Sequence, residues 1–205
     1  MENIYENIFN SERTVESIFI KECLTKYTNY KNNILDVGGV PTNSSMMKDV
    51  YEIIKNKNLN YKICDFRESD YKGDFVQIDF NKKKFDSIMF LSSLEHFPQC
   101  TESDLTYREG YDKKGFQKAI SILNPEGYIF LTVPFGKHRW QNFHQNYNNE
   151  GILNLTKDAS IEESYTYSLI NEQWILTNPL EMENILYTDR CYGVGCFVLK
   201  NKLND

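Results

Sequence analysis

At 205 residues the chain is sized for one domain, and a second full domain is excluded. A hydrophobic share of 40%, with 14 Tyr, 13 Phe and 2 Trp, is enough to build a core and excludes a disordered polar chain. The 29 acidic side chains outnumber the 23 basic ones, and the resulting net charge of −6 disfavours a sequence-independent nucleic-acid binder, which needs a concentrated positive face.

The chain opens with Glu2, Glu6 and Glu12, where an export signal requires a cationic start and an apolar run. No segment approaches the roughly 20 apolar residues that span a bilayer. The expectation is a soluble cytoplasmic protein. Ser11 can cap a helix in which Val15, Ile18, Phe19, Leu24 and Tyr27 form one buried stripe. Residues 33–39, NILDVGG, are too short for a helix and end in paired glycines, so they read as a buried strand entering a tight turn. A helix around Met46 to Lys55 follows, then a strand YKICDF, a short strand DFVQIDF at 74–80 and a strongly apolar strand at 86–91. After a polar insertion at 98–111, which reads as a lid or as a plain long loop, comes a helix stopped by Asn124, Pro125 and Gly127. The strand YIFLTV comes next. Finally, strands at 161–169 and 174–177 flank the turn residues Asn171 and Glu172, and a last strand runs from Gly193 to Lys200.

Strands alternating with helices predict a doubly wound, Rossmann-like, mostly parallel α/β sheet. The five cysteines, Cys23, Cys64, Cys100, Cys191 and Cys196, are odd in number and irregularly spaced, which predicts reduced thiols. The pairs His96 with Cys100 and Cys191 with Cys196 form no CxxC knuckle, so no metal is expected.

Ligands of open α/β sheets settle at the carboxyl ends of the strands. Asp36 lies in strand one, which ends at Gly38 and Gly39, while Asp65 and Phe66 close strand two. Asp79 and Phe80 close the predicted strand three, and Ser92 follows strand four. Glycine allows a tight turn and close backbone approach, and a carboxylate at the end of strand two can accept both ribose hydroxyls. The spacing Gly-x-Gly-x-x-Gly is missing and no Walker loop exists, which points to a nucleoside ligand without a phosphate cradle.

These residues resemble the class I S-adenosylmethionine-dependent methyltransferases from Asn33 to Lys200. ILDVGG resembles the first motif, Asp65 the ribose acid, and Asp79 with Phe80 the adenine-binding turn. FDSIMFLSSLEHF resembles the fourth motif, and LNPEGYIFLTVP the helix stop and fifth strand. The resemblance implies a seven-stranded sheet with an antiparallel last strand. It also implies S-adenosylmethionine as cofactor, with S-adenosylhomocysteine as product, bound by Asp36, Gly38, Gly39, Asp65, Phe66, Asp79, Phe80 and Ser92. It divides one domain, 1–205, into a helical cap at 1–30, a cofactor half at 31–134 and an acceptor half at 135–205 with a terminal hairpin. Val40 and Pro41 stand where the family has a glycine and a small residue, so the turn there takes another path. Some relatives bind a metal through a further Glu three residues before the Glu-His pair; that position is Ser92, and no metal is carried over.

The fourth motif, the VPFGK turn, Trp174 and the GVGCFVLK strand most resemble small methyltransferases encoded with bacterial surface-polysaccharide genes. This implies a small anionic acceptor, such as a nucleotide-linked or phosphorylated sugar or a capsule precursor. Lys137, Arg139, Trp140 and His144 supply donors and a stacking surface for it, and the same stretch equally reads as a solvated loop. His96, with Glu95 as partner, and His138 are the general-base candidates, while Glu95 and His96 also fit the ordinary start of a helix. Two rival readings remain: a ligand sensor without turnover, and a nicotinamide oxidoreductase sharing the ribose acid.

Overall fold

The computed structural model describes residues 11–39, 48–99, 108–141, 144–186 and 191–202. Glu2, Glu6, Val40, Pro41, Met46, Cys100 and Tyr107, with most of the 98–111 insertion, lie outside these residues. Helix α1 (Arg13–Tyr27) starts where the Ser11 hydroxyl accepts a hydrogen bond from the Arg13 N–H at 3.2 Å. Its buried face is Val15, Glu16, Phe19, Ile20, Cys23 and Leu24, a stripe at helical spacing. Ile18, expected in that stripe, falls off it and is 56% exposed, while Glu16 takes a place among the apolar residues.

The main sheet contains β1 (Asn33–Val37), β2 (Asn60–Asp65), β3 (Tyr71–Lys72), β4 (Phe85–Leu91) and β5 (Leu123–Pro134), all parallel. Helices α2 (Lys48–Asn56) and α3 (Tyr111–Ile122) lead into β2 and β5. Beyond β5 come a separate hairpin, β6 (Arg139–Gln141) with β7 (His144–Asn146), and helix α4 (Asn149–Leu155). The strands β8 (Ala159–Ile170), β9 (Gln173–Leu176) and β10 (Gly193–Asn201) complete the main sheet, in the order β3-β2-β1-β4-β5-β10-β8-β9. The switch point lies between β1 and β4, where the chain returns from the β3 edge to build the other half.

Period-two alternation divides the core. Ile34, Met89, Phe130 and Val198 pack with Val15, Phe19, Ile20 and Leu24 of α1 and Val50 of α2. Leu35, Phe90, Leu131 and Leu199 pack on the opposite face with Phe116 and Ala119 of α3 and Ile152 of α4. Both faces are covered, as near-continuous apolar strands require. This is the Rossmann-like α/β architecture expected.

Three details differ from expectation. The main sheet has eight strands, because β9 adds an edge strand beyond the seven. The hairpin β8–β9 is turned where expected, by Asn171 and Glu172, both at positive φ (49° and 60°) as a two-residue hairpin turn demands. The last strand, β10, is not part of that hairpin; it inserts between β5 and β8, antiparallel to both. Residues 74–80 form turns instead of a strand, since Phe75 and Phe80 bury against Tyr71, Phe85 and Phe90 by looping back over the sheet. Among the described residues no helix is long and apolar enough to cross a membrane.

Candidate active site

The carboxyl ends of β1, β2, β4 and β5 are stitched into one rim. The Gly38 N–H donates to the Cys64 carbonyl at 2.9 Å, the Ser93 hydroxyl to the Val37 carbonyl at 2.6 Å, and the Ser92 N–H to the Thr132 carbonyl at 3.2 Å. Gly38 has φ 97°, and a β-carbon there would lie 2.4 Å from the Ser93 β-carbon, so the joint between β1 and β4 admits only glycine. Gly39, at φ 44°, faces β2: a β-carbon would lie 3.6 Å from Asp65 Oδ2.

Asp65 is gripped by the residue two positions on. Its Oδ1 accepts from the Arg67 N–H at 2.7 Å and from Arg67 Nε at 2.9 Å, and its Oδ2 accepts from Arg67 Nη2 at 2.7 Å. Partial burial opposes ionisation, but the hydrogen bonds and charge of Arg67 outweigh it and hold this carboxyl below its usual range. Phe66 beside it is 43% exposed. Asp36 does not stand open on the rim: it is buried between β1 and the α1/α2 layer, and its Oδ2 accepts from the Tyr61 hydroxyl. Burial and that carboxylate together push the Tyr61 hydroxyl above its usual range.

Asp79 and Phe80 close no strand, contrary to expectation. Asp79 is exposed and accepts from the Asn81 N–H at 2.8 Å, closing a local turn, while Phe80 is buried in the core. Because β3 ends at Lys72, the carboxylate that follows it is Asp74, which sequence reasoning missed. Asp74 accepts from the Val76 N–H at 3.0 Å and from the Tyr111 hydroxyl. The glycine at position 73, with φ 134°, was the available signal.

A second polar group sits over the ends of β4 and β5. Glu16 of α1 is buried; its Oε1 accepts from the Ser92 hydroxyl and, at 2.7 Å, from the Thr132 hydroxyl, and its Oε2 accepts from Arg13 Nη1 at 2.7 Å. Arg13 also reaches the Leu91 carbonyl at 3.2 Å. Glu95, in the 3-10 turn Leu94–Gln99, is buried with Oε2 lacking a hydrogen-bond partner and Oε1 3.9 Å from His96 Nε2. Burial, with the nearby Glu16, pushes the Glu95 carboxyl well above its usual range despite its own backbone hydrogen bond and the charge of Arg13.

The ring of His144 lies 6.2 Å from that of His96. His144 is buried, and burial first, then His96 and Arg139, push its imidazole down to about 4. At a folded pKa of about 4 it is neutral at pH 7, where the imidazole still offers one N–H donor. Cross-strand pairing puts Arg139 opposite Asn146, on the face that His144 shares, and Trp140 opposite Gln145 on the other face. His138 lies 3.5 Å from Gln145 Nε2 and 6.0 Å from the Tyr147 ring, on that other face, so the hairpin separates it from His96 and Glu95. Lys137 is exposed.

The His144 shift has a measurable consequence. Its ordinary pKa is 6.5 and its folded value about 4, so between these the unfolded chain binds the extra proton. The stability it confers is complete above pH 6.5 and is lost as pH falls towards 4. In His144→Gln this acid-side loss, worth roughly 3 kcal/mol in total, disappears from urea midpoints compared at pH 7 and pH 4.5. The Glu95 carboxyl acts in the opposite sense above its ordinary value of 4.5, stability falling as pH rises, so the variant comparison isolates the imidazole.

No family model matches the chain. It is 27% identical over 169 residues to the mitochondrial ubiquinone biosynthesis O-methyltransferase of Dictyostelium discoideum, covering 77% of this chain and 49% of that protein. The chain thus spans about half the length of the curated relative it matches. Among solved structures it is similar to the MccD protein, with a TM-score of 0.61 and 12% identity over 90% of this chain and 96% of that one. It is also similar to the 1,6-didemethyltoxoflavin-N1-methyltransferase of Burkholderia thailandensis, solved with S-adenosylhomocysteine and 1,6-didemethyltoxoflavin bound (TM-score 0.59, 11% identity, 93% and 79% covered). A third is the N-methyltransferase NodS of Bradyrhizobium japonicum WM9 in complex with S-adenosylhomocysteine (TM-score 0.56, 12% identity, 98% and 89% covered). With the parallel half, the antiparallel β10 beside β5 and the switch point between β1 and β4, the chain has the fold of the class I S-adenosylmethionine-dependent methyltransferases.

Proposed function

We propose that the protein transfers the methyl group of S-adenosylmethionine to an oxygen or nitrogen of a small acceptor. One observation carries the reading: beside the switch point, at the carboxyl ends of β1 and β2, the Gly39 backbone stands against Asp65, an ionised carboxylate able to accept from two vicinal hydroxyls. The missing phosphate cradle supports a nucleoside ligand over a dinucleotide. When bound, S-adenosylmethionine supplies an activated methyl group and leaves as a neutral thioether. The chain's own part is to hold: Asp65 takes the ribose, Gly38 and Gly39 allow close backbone approach, and Phe66 and Asp74 follow the ends of β2 and β3. Positioning a nucleophile in line contributes roughly 7 to 11 kcal/mol to such a reaction.

For a hydroxyl or protonated amine, His96 is the base, adding about 10² to 10⁴ in rate. Glu95 stands beside it, its Oε1 3.9 Å from His96 Nε2, with burial pushing its carboxyl well above the usual range. His138, the other candidate base, faces the opposite side of the hairpin from His144. An anionic acceptor, such as a nucleotide-linked or phosphorylated sugar or a capsule precursor, is supported by Arg139, on the hairpin face that His144 shares, with the His144 ring 6.2 Å from that of His96, and by the exposed Lys137. The test is calorimetry with S-adenosylmethionine and S-adenosylhomocysteine, followed by mass detection of methylated products across sugar nucleotides and phosphosugars. Binding of both and one methylated product are expected. A thermal shift with NAD and none with S-adenosylmethionine overturns the reading, and binding without turnover on any acceptor assigns a ligand sensor instead.

A further inference from the structure

The Arg67 side chain has no part in the scheme above, yet it makes four contacts across the gap between the ends of β1 and β2. Its Nε and Nη2 grip the two oxygens of Asp65 as a fork, and Nη2 also lies 3.3 Å from the Gly38 carbonyl and 3.5 Å from the Gly39 carbonyl. A guanidinium is a planar array of donors, so it presents to the carboxylate what a vicinal diol presents: two donors at matched spacing. The side chain is 69% exposed, whereas that of Asp65 is 11% exposed. The cation is therefore held from the solvent side, over an acid that is otherwise mostly covered.

We infer that Arg67 is an internal occupant of the ribose seat, a competitor that any diol-bearing nucleoside must displace before Asp65 can accept its hydroxyls. The inference rests on the adenosyl reading of the site. Both oxygens of Asp65 are already engaged by the fork, and the guanidinium spans from the carboxylate to the two glycine carbonyls, so the diol and the fork exclude one another. Exchange is feasible because Asp65 keeps the Arg67 backbone N–H at 2.7 Å when the side chain leaves, which holds the carboxylate in place. A cation swinging out from so exposed a position regains water, so its displacement cost is modest. Arg67 thus sets the ligand affinity from outside the bound ligand, lowering it by the free energy of its own grip on Asp65.

The experiment is titration calorimetry of wild type, Arg67→Ala and Arg67→Lys with S-adenosylhomocysteine at low and high salt. Arg67→Ala binds roughly three- to tenfold tighter than wild type. Arg67→Lys, which keeps the charge but loses the fork, falls between them. Raising the salt from 0.05 to about 0.5 M tightens wild-type binding by screening the pair and leaves Arg67→Ala unchanged. If Arg67→Ala binds equally or more weakly while wild type binds well, the displacement idea is overturned and the adenosyl reading stands. If neither folded protein binds the ligand, the adenosyl reading fails and takes this inference with it.

Discussion

Asp65→Ala binds S-adenosylhomocysteine at least tenfold more weakly than wild type, a loss of about 1.4 kcal/mol or more. The carboxylate is the ionised acceptor on the rim beside the paired glycines, and alanine leaves ribose hydroxyls with no charged partner there. The substitution also releases the Arg67 fork, so the measured loss is net of a relieved competition. Asp65→Ala in an Arg67→Ala background therefore shows a larger loss than in wild type. Calorimetry on both pairs of proteins reads the difference, with circular dichroism to confirm that each is folded. Unchanged affinity in a folded Asp65→Ala protein removes the ribose assignment.

Glu16→Ala lowers global stability by about 3 kcal/mol, because removing a buried carboxylate leaves the donors it satisfied without a partner. Here the stranded groups are the Ser92 and Thr132 hydroxyls, while the partly exposed Arg13 guanidinium keeps the Leu91 carbonyl and water. The urea midpoint reads this effect, and Glu16→Gln recovers part of it by keeping an acceptor oxygen. The same change lowers the Glu95 pKa, since Glu16 is one of the charges holding it up. A Glu16→Ala protein as stable as wild type means that α1 is fixed by its apolar face alone.

The strands of the parallel half were readable because their apolar runs are short, dense and punctuated. ILDV before two glycines and SIMFL before two serines leave little choice of element. The turn at Asn171 and Glu172 was readable because Asn tolerates the left-handed region better than most residues. Residues 74–80 misled because Val76, Ile78 and Phe80 alternate with polar residues as in a strand, whereas the chain turns and buries only Phe75 and Phe80. The displaced strand moved the third acid of the rim from Asp79 to Asp74. Glu16 was hidden for another reason: a carboxylate inside a helical stripe reads as surface until its donors, distant in sequence on β4 and β5, are known. His144 looked like a loop histidine, and only the pairing of β6 with β7 and the packing on the 3-10 turn bury it. The placement of β10 between β5 and β8 leaves no local trace at all.

That placement governs how the protein must assemble. Pairing β10 with β5 joins positions roughly sixty or more residues apart, a large loop-closure cost. During synthesis the seam of the sheet is delivered after both of its neighbours. Until it emerges, β5 and β8 each present an open edge to solvent. Refolding is accordingly set by one late, non-local docking event, and the interval before it is when the nascent polypeptide most needs a chaperone.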